Sequence, residues 1–158
     1  MKNNENDSAD KQLNDLNHLL LEKQLCFRFY NLNKKMNRLY APVLKELALT
    51  YPQYLVMLIL WQHEKAIAIK TIGQQLDLDT GTLSPLLKRM EKQSLISRCR
   101  KVEDERSVEI QLTSLGKALK EKAQDIPAKM FNVTGFSITE LTALNQQLDK
   151  LLVNLNKL

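Results

Sequence analysis

Two thiols and two groups of cations are the side chains in this chain with chemistry to offer. Cys26 stands between Leu25 and Phe27, with no histidine or basic cluster close by to favour the thiolate. A lone cysteine in apolar surroundings is by default a small, inert core residue. It becomes a nucleophile only where donors or positive charge stabilise its anion. Cys99, between Arg98 and Arg100, lies in a segment that reads as strand, and a half-buried packing role is expected for it. The cations fall into Lys88, Arg89 and Lys92 in one segment and Arg98, Arg100, Lys101 and Arg106 in the next. Such groups bind phosphate oxygens and guanine edges. His18 and His63 form no ligand-spaced cluster with cysteine or carboxylate, so no metal site is expected. No phosphate loop, nucleophile elbow or paired-carboxylate motif occurs, so neither an enzyme nor a cofactor is expected.

Holding those cations on one surface takes a helical scaffold, and the pattern supplies one. Leu16, Leu20, Leu25, Phe29, Leu32, Met36, Leu39 and Val43 recur at helical steps through residues 13–47, with Pro42 expected to bend or interrupt the segment. Thr50-x-x-Gln53 is a capping box, with Pro52 in the first turn and Leu49 and Tyr54 at the staple positions. The helix it opens, through Trp61, is apolar on nearly every side and should form the buried centre. Ile69, Ile72, Gly73 and Leu76 mark a short helix, and Asp77-Leu78-Asp79 a tight turn. Asp79 then caps a helix whose inner stripe is Leu83, Leu86, Leu87 and Met90. Two short helices joined this way make a helix-turn-helix.

The stripe fixes the outer face of that second helix: Gly81, Ser84, Pro85, Lys88 and Lys92, with Thr82 and Arg89 on the flanks. Thr80, Thr82, Ser84, Pro85, Lys88 and Arg89 form the expected DNA-reading set. The small residues let the helix approach base edges, and Pro85 can meet a thymine methyl. Residues 96–101 and the alternating Val108-Glu-Ile-Gln-Leu112 flank an acidic turn and predict a β-hairpin in the position of a wing. Arg98 and Arg106 join the DNA-binding set from this hairpin, with Asp104 there to aim the Arg106 guanidinium. Thr113 caps a helix running toward Pro127, and Ser137-x-x-Glu140 opens a last helix. There Leu141, Leu144, Leu148, Leu151, Leu155 and Leu158 keep heptad spacing and call for an apolar partner.

The expected fold is one mainly α domain with a small β-hairpin wing, spanning residues 1–158. Within it residues 1–12 are expected to be disordered, 50–112 to form the winged helix-turn-helix, and 13–47 and 114–158 to serve dimerisation. The net charge of +5 and pI of about 9.2 are compatible with a polyanionic partner. The longest apolar run, Tyr54 to Trp61, is too short for a bilayer, and the polar start carries no signal-peptide core. A cytoplasmic protein with reduced thiols and no membrane partner is expected.

Residues 78–91, Leu-Asp-Thr-Gly-Thr-Leu-Ser-Pro-Leu-Leu-Lys-Arg-Met-Glu, followed by Glu103-Asp-Glu-Arg106, resemble the MarR family of winged-helix regulators. Leu25-Cys-Phe-Arg-Phe-Tyr30, Leu39-Tyr40 and Leu49-Thr-Tyr-Pro-Gln-Tyr54 resemble its organic-hydroperoxide sensors, the OhrR type. The likeness implies a homodimeric repressor on a pseudo-palindromic double-stranded DNA operator, with Arg106 in the minor groove. It implies that Cys26 is the peroxide-reactive thiol, hydrogen-bonded by Tyr40 and Tyr51 of the partner subunit, with Tyr30 nearby. Hydroxyl donors to a thiolate would favour the reactive form, which attacks an organic hydroperoxide to give a sulfenic acid. Two-cysteine members of the branch keep a second thiol in the C-terminal helical region, where this chain has Phe131 and Asn132. The sulfenic acid is therefore expected to be captured by a small thiol, or over-oxidised to sulfinic acid under excess peroxide. A regulator of the same family answering to a phenolic ligand is the alternative.

Overall fold

The computed structural model describes residues 19–63, 65–101 and 104–157, without the side chains of residues 100–107. The expected disorder of residues 1–12 and the apolar positions Leu16 and Leu158 lie outside the described residues. The chain divides into two compact units, Met1–Pro42 and Val43–Leu158. A 3-10 turn at Leu21–Lys23 leads into α1 (Leu25–Lys45). The interruption expected at Pro42 does not occur, because α1 runs on through it. Proline removes one backbone donor, and this one falls three residues from the helix end, where little helix remains to disturb. On α1, Leu25, Phe29, Leu32 and Leu39 of the apolar stripe are all exposed.

The second unit is built around α2 (Tyr51–Gln62). Its start follows the sequence closely: the Thr50 N–H donates to Gln53 Oε1 at 2.8 Å, and Pro52 sits in the first turn. Val56 and Met57 have no exposed surface, and Tyr54, Ile59, Leu60 and Trp61 are also buried. Around this helix lie β1 (Ile67–Ala68), α3 (Ile69–Leu76), α4 (Thr80–Lys92), β2 (Ile96–Lys101) and β3 (Asp104–Leu112). The inner stripe of α4, Leu83, Leu86, Leu87 and Met90, is buried as the spacing predicts. The three strands form an antiparallel sheet in the order β1-β3-β2, with Ile110 facing Ile67 on one side and Arg98 on the other. β1 was not foreseen, since two residues carry no alternation to read.

Three helices complete the unit: α5 (Ser114–Ala123), α6 (Ile126–Thr134) and α7 (Ile138–Leu155). Thr113 caps α5 through its Oγ1, which accepts from the Gly116 N–H at 3.1 Å. The helix expected to run toward Pro127 ends at Ala123, and a further short helix, α6, follows it. Pro127 lies in the first turn of α6, where its missing N–H costs nothing. The second capping box forms in full: Ser137 N–H donates to Glu140 Oε2 at 2.8 Å, and Glu140 N–H to Ser137 Oγ at 3.2 Å.

Gly116 is the most closely approached of the four glycines. A β-carbon there would collide with the Leu95 carbonyl oxygen and crowd Leu112. The Gly116 carbonyl accepts from Trp61 Nε1 at 2.9 Å, tying α5 to the end of α2. Gly116→Ala is therefore expected to lower stability by about 3 kcal/mol through overpacking against backbone. Gly135, at φ 70° in open space, should lose only about 1 kcal/mol on the same change. Urea denaturation of the two variants checks the order, and equal midpoints would refute it.

Candidate nucleic-acid interface and thiol site

The helix-turn-helix is shaped by two backbone features. Asp77 closes α3 in the left-handed region at φ 52°, and the Leu78 N–H returns to the Gly73 carbonyl at 2.9 Å. A β-carbon on Gly73 would stand 2.9 Å from the Leu78 carbonyl oxygen, so glycine lets the turn fold down onto α3. Asp79 then starts α4: its Oδ1 accepts from the Thr82 N–H at 2.9 Å and its Oδ2 from the Thr82 hydroxyl at 2.7 Å. The Thr82 hydroxyl, the first of these causes, and the backbone donors hold the Asp79 carboxyl below its ordinary 3.8.

Of the expected DNA-reading residues, Thr80, Thr82, Pro85, Lys88 and Arg89 are exposed and Ser84 is half-buried. Ser84, Pro85 and Lys88 lie on the outer side of α4, Thr82 and Arg89 on its flanks, and Thr80 at its start, one turn before the buried Leu83. Thr82 gives its hydroxyl proton to Asp79. Arg98, on β2, is engaged within the protein: its Nε lies 3.3 Å from Glu91 Oε2, and its Nη2 donates to the Ser84 carbonyl at 3.4 Å. It clasps the wing base to α4. Asp104 and Arg106 lie on β3, but their side chains are outside the described residues. Glu91 was not singled out from the sequence. Its partner lies seven residues away on another element, and no local pattern announces such a pair.

Cys26 is exposed near the start of α1. Tyr30 follows one turn later and is 60% exposed, its ring stacked 6.5 Å from Phe27 with Lys34 Nζ 5.8 Å from its centroid. Residues four apart share a helix face, so Tyr30 and Cys26 are neighbours. Tyr40 is half-buried on the same helix, fourteen residues and about 21 Å of rise from Cys26. The structure therefore does not bring these two together within one chain. Tyr51 opens α2 and is half-buried. Cys99, half-buried as expected, points its thiol at the Glu109 carbonyl at 3.6 Å.

The family model described as transcriptional regulator SarA/Rot matches residues 38–126, more than half of the chain. The chain belongs to this family of MarR-like winged-helix transcriptional regulators. It is 49% identical over 144 residues to the organic hydroperoxide resistance transcriptional regulator of Bacillus subtilis, covering 91% of this chain and 97% of that one. It is 42% identical to the HTH-type transcriptional regulator SarZ of Staphylococcus saprophyticus, over 81% of this chain and 87% of that one. In structure it is similar to reduced AbfR bound to DNA, with a TM-score of 0.72 at 32% identity over 89% of this chain and 98% of that one. AbfR comes from Staphylococcus epidermidis. These relatives are regulators rather than enzymes, and no described helix of this regulator is long and apolar enough to cross a membrane.

The regulator's two basic groups should respond differently to salt. Lys88, on the outer face, is expected to meet phosphate, so Lys88→Ala should flatten the salt dependence of DNA binding by about 0.9 for each phosphate it no longer neutralises. Arg98→Ala should weaken binding with the slope unchanged, because its guanidinium is turned to Glu91 and Ser84. Fluorescence anisotropy across a salt series decides, and an equal fall in slope for both variants would count against the clasp. The cap has its own signature. Because the folded value for Asp79 is depressed, its stabilisation is complete above the ordinary 3.8 and is lost only as pH falls through the lower folded value. An NMR titration of the Asp79 carboxyl should give a midpoint below 3.8; one at or above it would mean the cap is not formed.

Proposed function

We propose that this regulator is a homodimeric, cytoplasmic repressor that releases double-stranded DNA when Cys26 is oxidised by an organic hydroperoxide. The observation that carries the reading is the placement of Cys26: an exposed thiol on a helix that also bears Tyr30 and, about 21 Å further on, Tyr40. A Tyr40 hydroxyl that donates to Cys26 has to come from a second copy of the chain. The open apolar surface supports such a copy. Helix α7 buries none of its residues, and Leu144, Leu152 and Leu155 stand exposed on it, as Phe29 and Leu32 do on α1. Leucines left unburied at heptad spacing along one helix suit an interaction surface.

On this reading Tyr40 and Tyr51 of one chain hold the Cys26 thiolate of the other, with Tyr30 beside it. The thiolate sulfur attacks the peroxide oxygen, the O–O bond breaks, and an alcohol leaves as the sulfenic acid forms. A small thiol then condenses with the sulfenic acid, releasing water and leaving a mixed disulfide. Both recognition helices, with Thr80, Thr82, Ser84, Pro85, Lys88 and Arg89, engage one operator. Arg98 steadies the wing, and Arg106, aimed by Asp104, takes the minor groove. The adduct's bulk shifts their spacing and DNA is lost. The phenolic-ligand alternative has less behind it, since a relative 49% identical over 91% of this chain is a hydroperoxide resistance regulator.

A mixed dimer tests the arrangement. Pairing a Cys26→Ser chain with a Tyr40→Phe chain leaves one intact site if thiol and tyrosine meet across the dimer, and none if they meet within a chain. The mixed dimer should therefore keep about half of the wild-type thiol reactivity toward cumene hydroperoxide at low dose. Reactivity no better than in the Tyr40→Phe homodimer would sink the cross-subunit site. Wild type that stays on DNA after full sulfenylation and thiol capture would sink the sensing role.

A further inference from the structure

Among the described residues Gln53 is the one buried polar side chain, 4% exposed. Burying an amide without partners is costly, and this one is well supplied. Its Oε1 accepts from the Thr50 N–H at 2.8 Å and from the Thr50 hydroxyl at 3.2 Å. Its Nε2 donates to Gln93 Oε1 at 2.8 Å, forty residues away. Gln93 is the residue that closes α4, where its N–H donates to the Arg89 carbonyl at 3.0 Å, and its Nε2 reaches back to the Ala48 carbonyl at 3.5 Å. Two amides thus join the turn 48–51, which carries Tyr51, to the end of the recognition helix beside Arg89.

The geometry points to Gln53 and Gln93 as a positioning pair that passes a displacement of the Tyr51 turn to the recognition helix. The inference deepens the proposed function and rests on its placing Tyr51 at the oxidised thiol. An apolar residue at position 53 would serve a cap-free core well, whereas an amide here fixes the angle between α2 and α4 in a directional way. A shift of the turn moves Gln53 with it, and the 2.8 Å bond carries that shift to Gln93 and the last turn of α4. Neither glutamine touches the thiol or the DNA on this reading. They act through Tyr51 and Arg89.

Two measurements test the pair. The first needs no peroxide: in Gln53→Met, amide exchange at Gln93, Ser94 and Leu95 should quicken by about fivefold, the worth of one hydrogen bond. The second is the ratio of DNA dissociation constants, oxidised over reduced, at matched Cys26 modification. Gln93→Met should cut this ratio at least fivefold while Cys26 oxidises at the wild-type rate. Gln93→Glu keeps an acceptor for Gln53 Nε2 and should retain most of the ratio, its added charge weakening both states alike. A merely structural role would lower stability without separating these two variants. An unchanged ratio in Gln93→Met, or unchanged exchange in Gln53→Met, overturns the pair. If wild type itself is not released, the sensing role has failed, and the exchange result alone judges the link.

Discussion

Helix α2 has no polar face to give to water, and that constraint organises everything packed around it. A helix apolar on all sides has to be enclosed. Here α3 and α4 close one flank, and β3 and α5 another. Its buried leucine, isoleucine, valine and methionine side chains each contribute about 2 kcal/mol on leaving water. The polar ends are dealt with separately: the capping box satisfies the start, while Lys120 Nζ donates to the Trp61 carbonyl at 2.9 Å near the finish. The enclosure has a functional consequence. Because α4 is pressed onto α2 by Leu83, Leu86, Leu87 and Met90, only its opposite face is left for a ligand. The side of α4 proposed to read DNA is what remains once the core has taken its share.

Much of this could be read in advance, because it is written in short-range patterns. The Thr50 and Ser137 boxes, the Asp79 cap and the α4 stripe each need no more than eight consecutive residues to recognise. The structure departs where the cause is not local. Ala48, Asp77 and Ser94 all take positive φ at helix ends, at 54°, 52° and 57°, without being glycine. Each is followed within the next residue or two by a buried or half-buried leucine or isoleucine, and that anchoring favours the turn over the residue's own preference. Helix α6 is not expected from the sequence because Pro127 reads equally as a stop for α5 and as a first-turn residue. Arg98 was assigned to DNA on charge alone, and only packing shows Glu91 and the Ser84 carbonyl in front of it.

The thiol site was less legible than the interface, for a physical reason. A DNA-reading helix is defined by what its own inner face buries, so one helix suffices to find it. A sensing thiol is defined by hydroxyls that approach it in space, and the tyrosines proposed for Cys26 stand 4, 14 and 25 positions along the chain. Periodicity places Tyr30 near Cys26, since both lie on one helix face. It cannot place Tyr40 or Tyr51 there, and only the likeness to hydroperoxide sensors suggested them.

The helix itself limits how two copies can meet. In a symmetric dimer a contact from residue i to residue j is repeated from j to i. If two α1 helices pack antiparallel so that Cys26 of one lies beside Tyr40 of the other, the two-fold axis falls midway, near Asn33. One such crossing then builds two thiol sites at once, about 21 Å apart along the helix pair. Each site would lie at an edge of the crossing, where Cys26, exposed in the single chain, could stay within reach of a peroxide. The same axis relates the two α4 helices. On the proposed reading, an adduct at either edge would wedge the α1 pair and shift the spacing of the two subunits' recognition helices. Two recognition helices held to successive major grooves about 10 base pairs apart tolerate such a shift poorly. The exposed α1 stripe of the single chain is what permits that geometry.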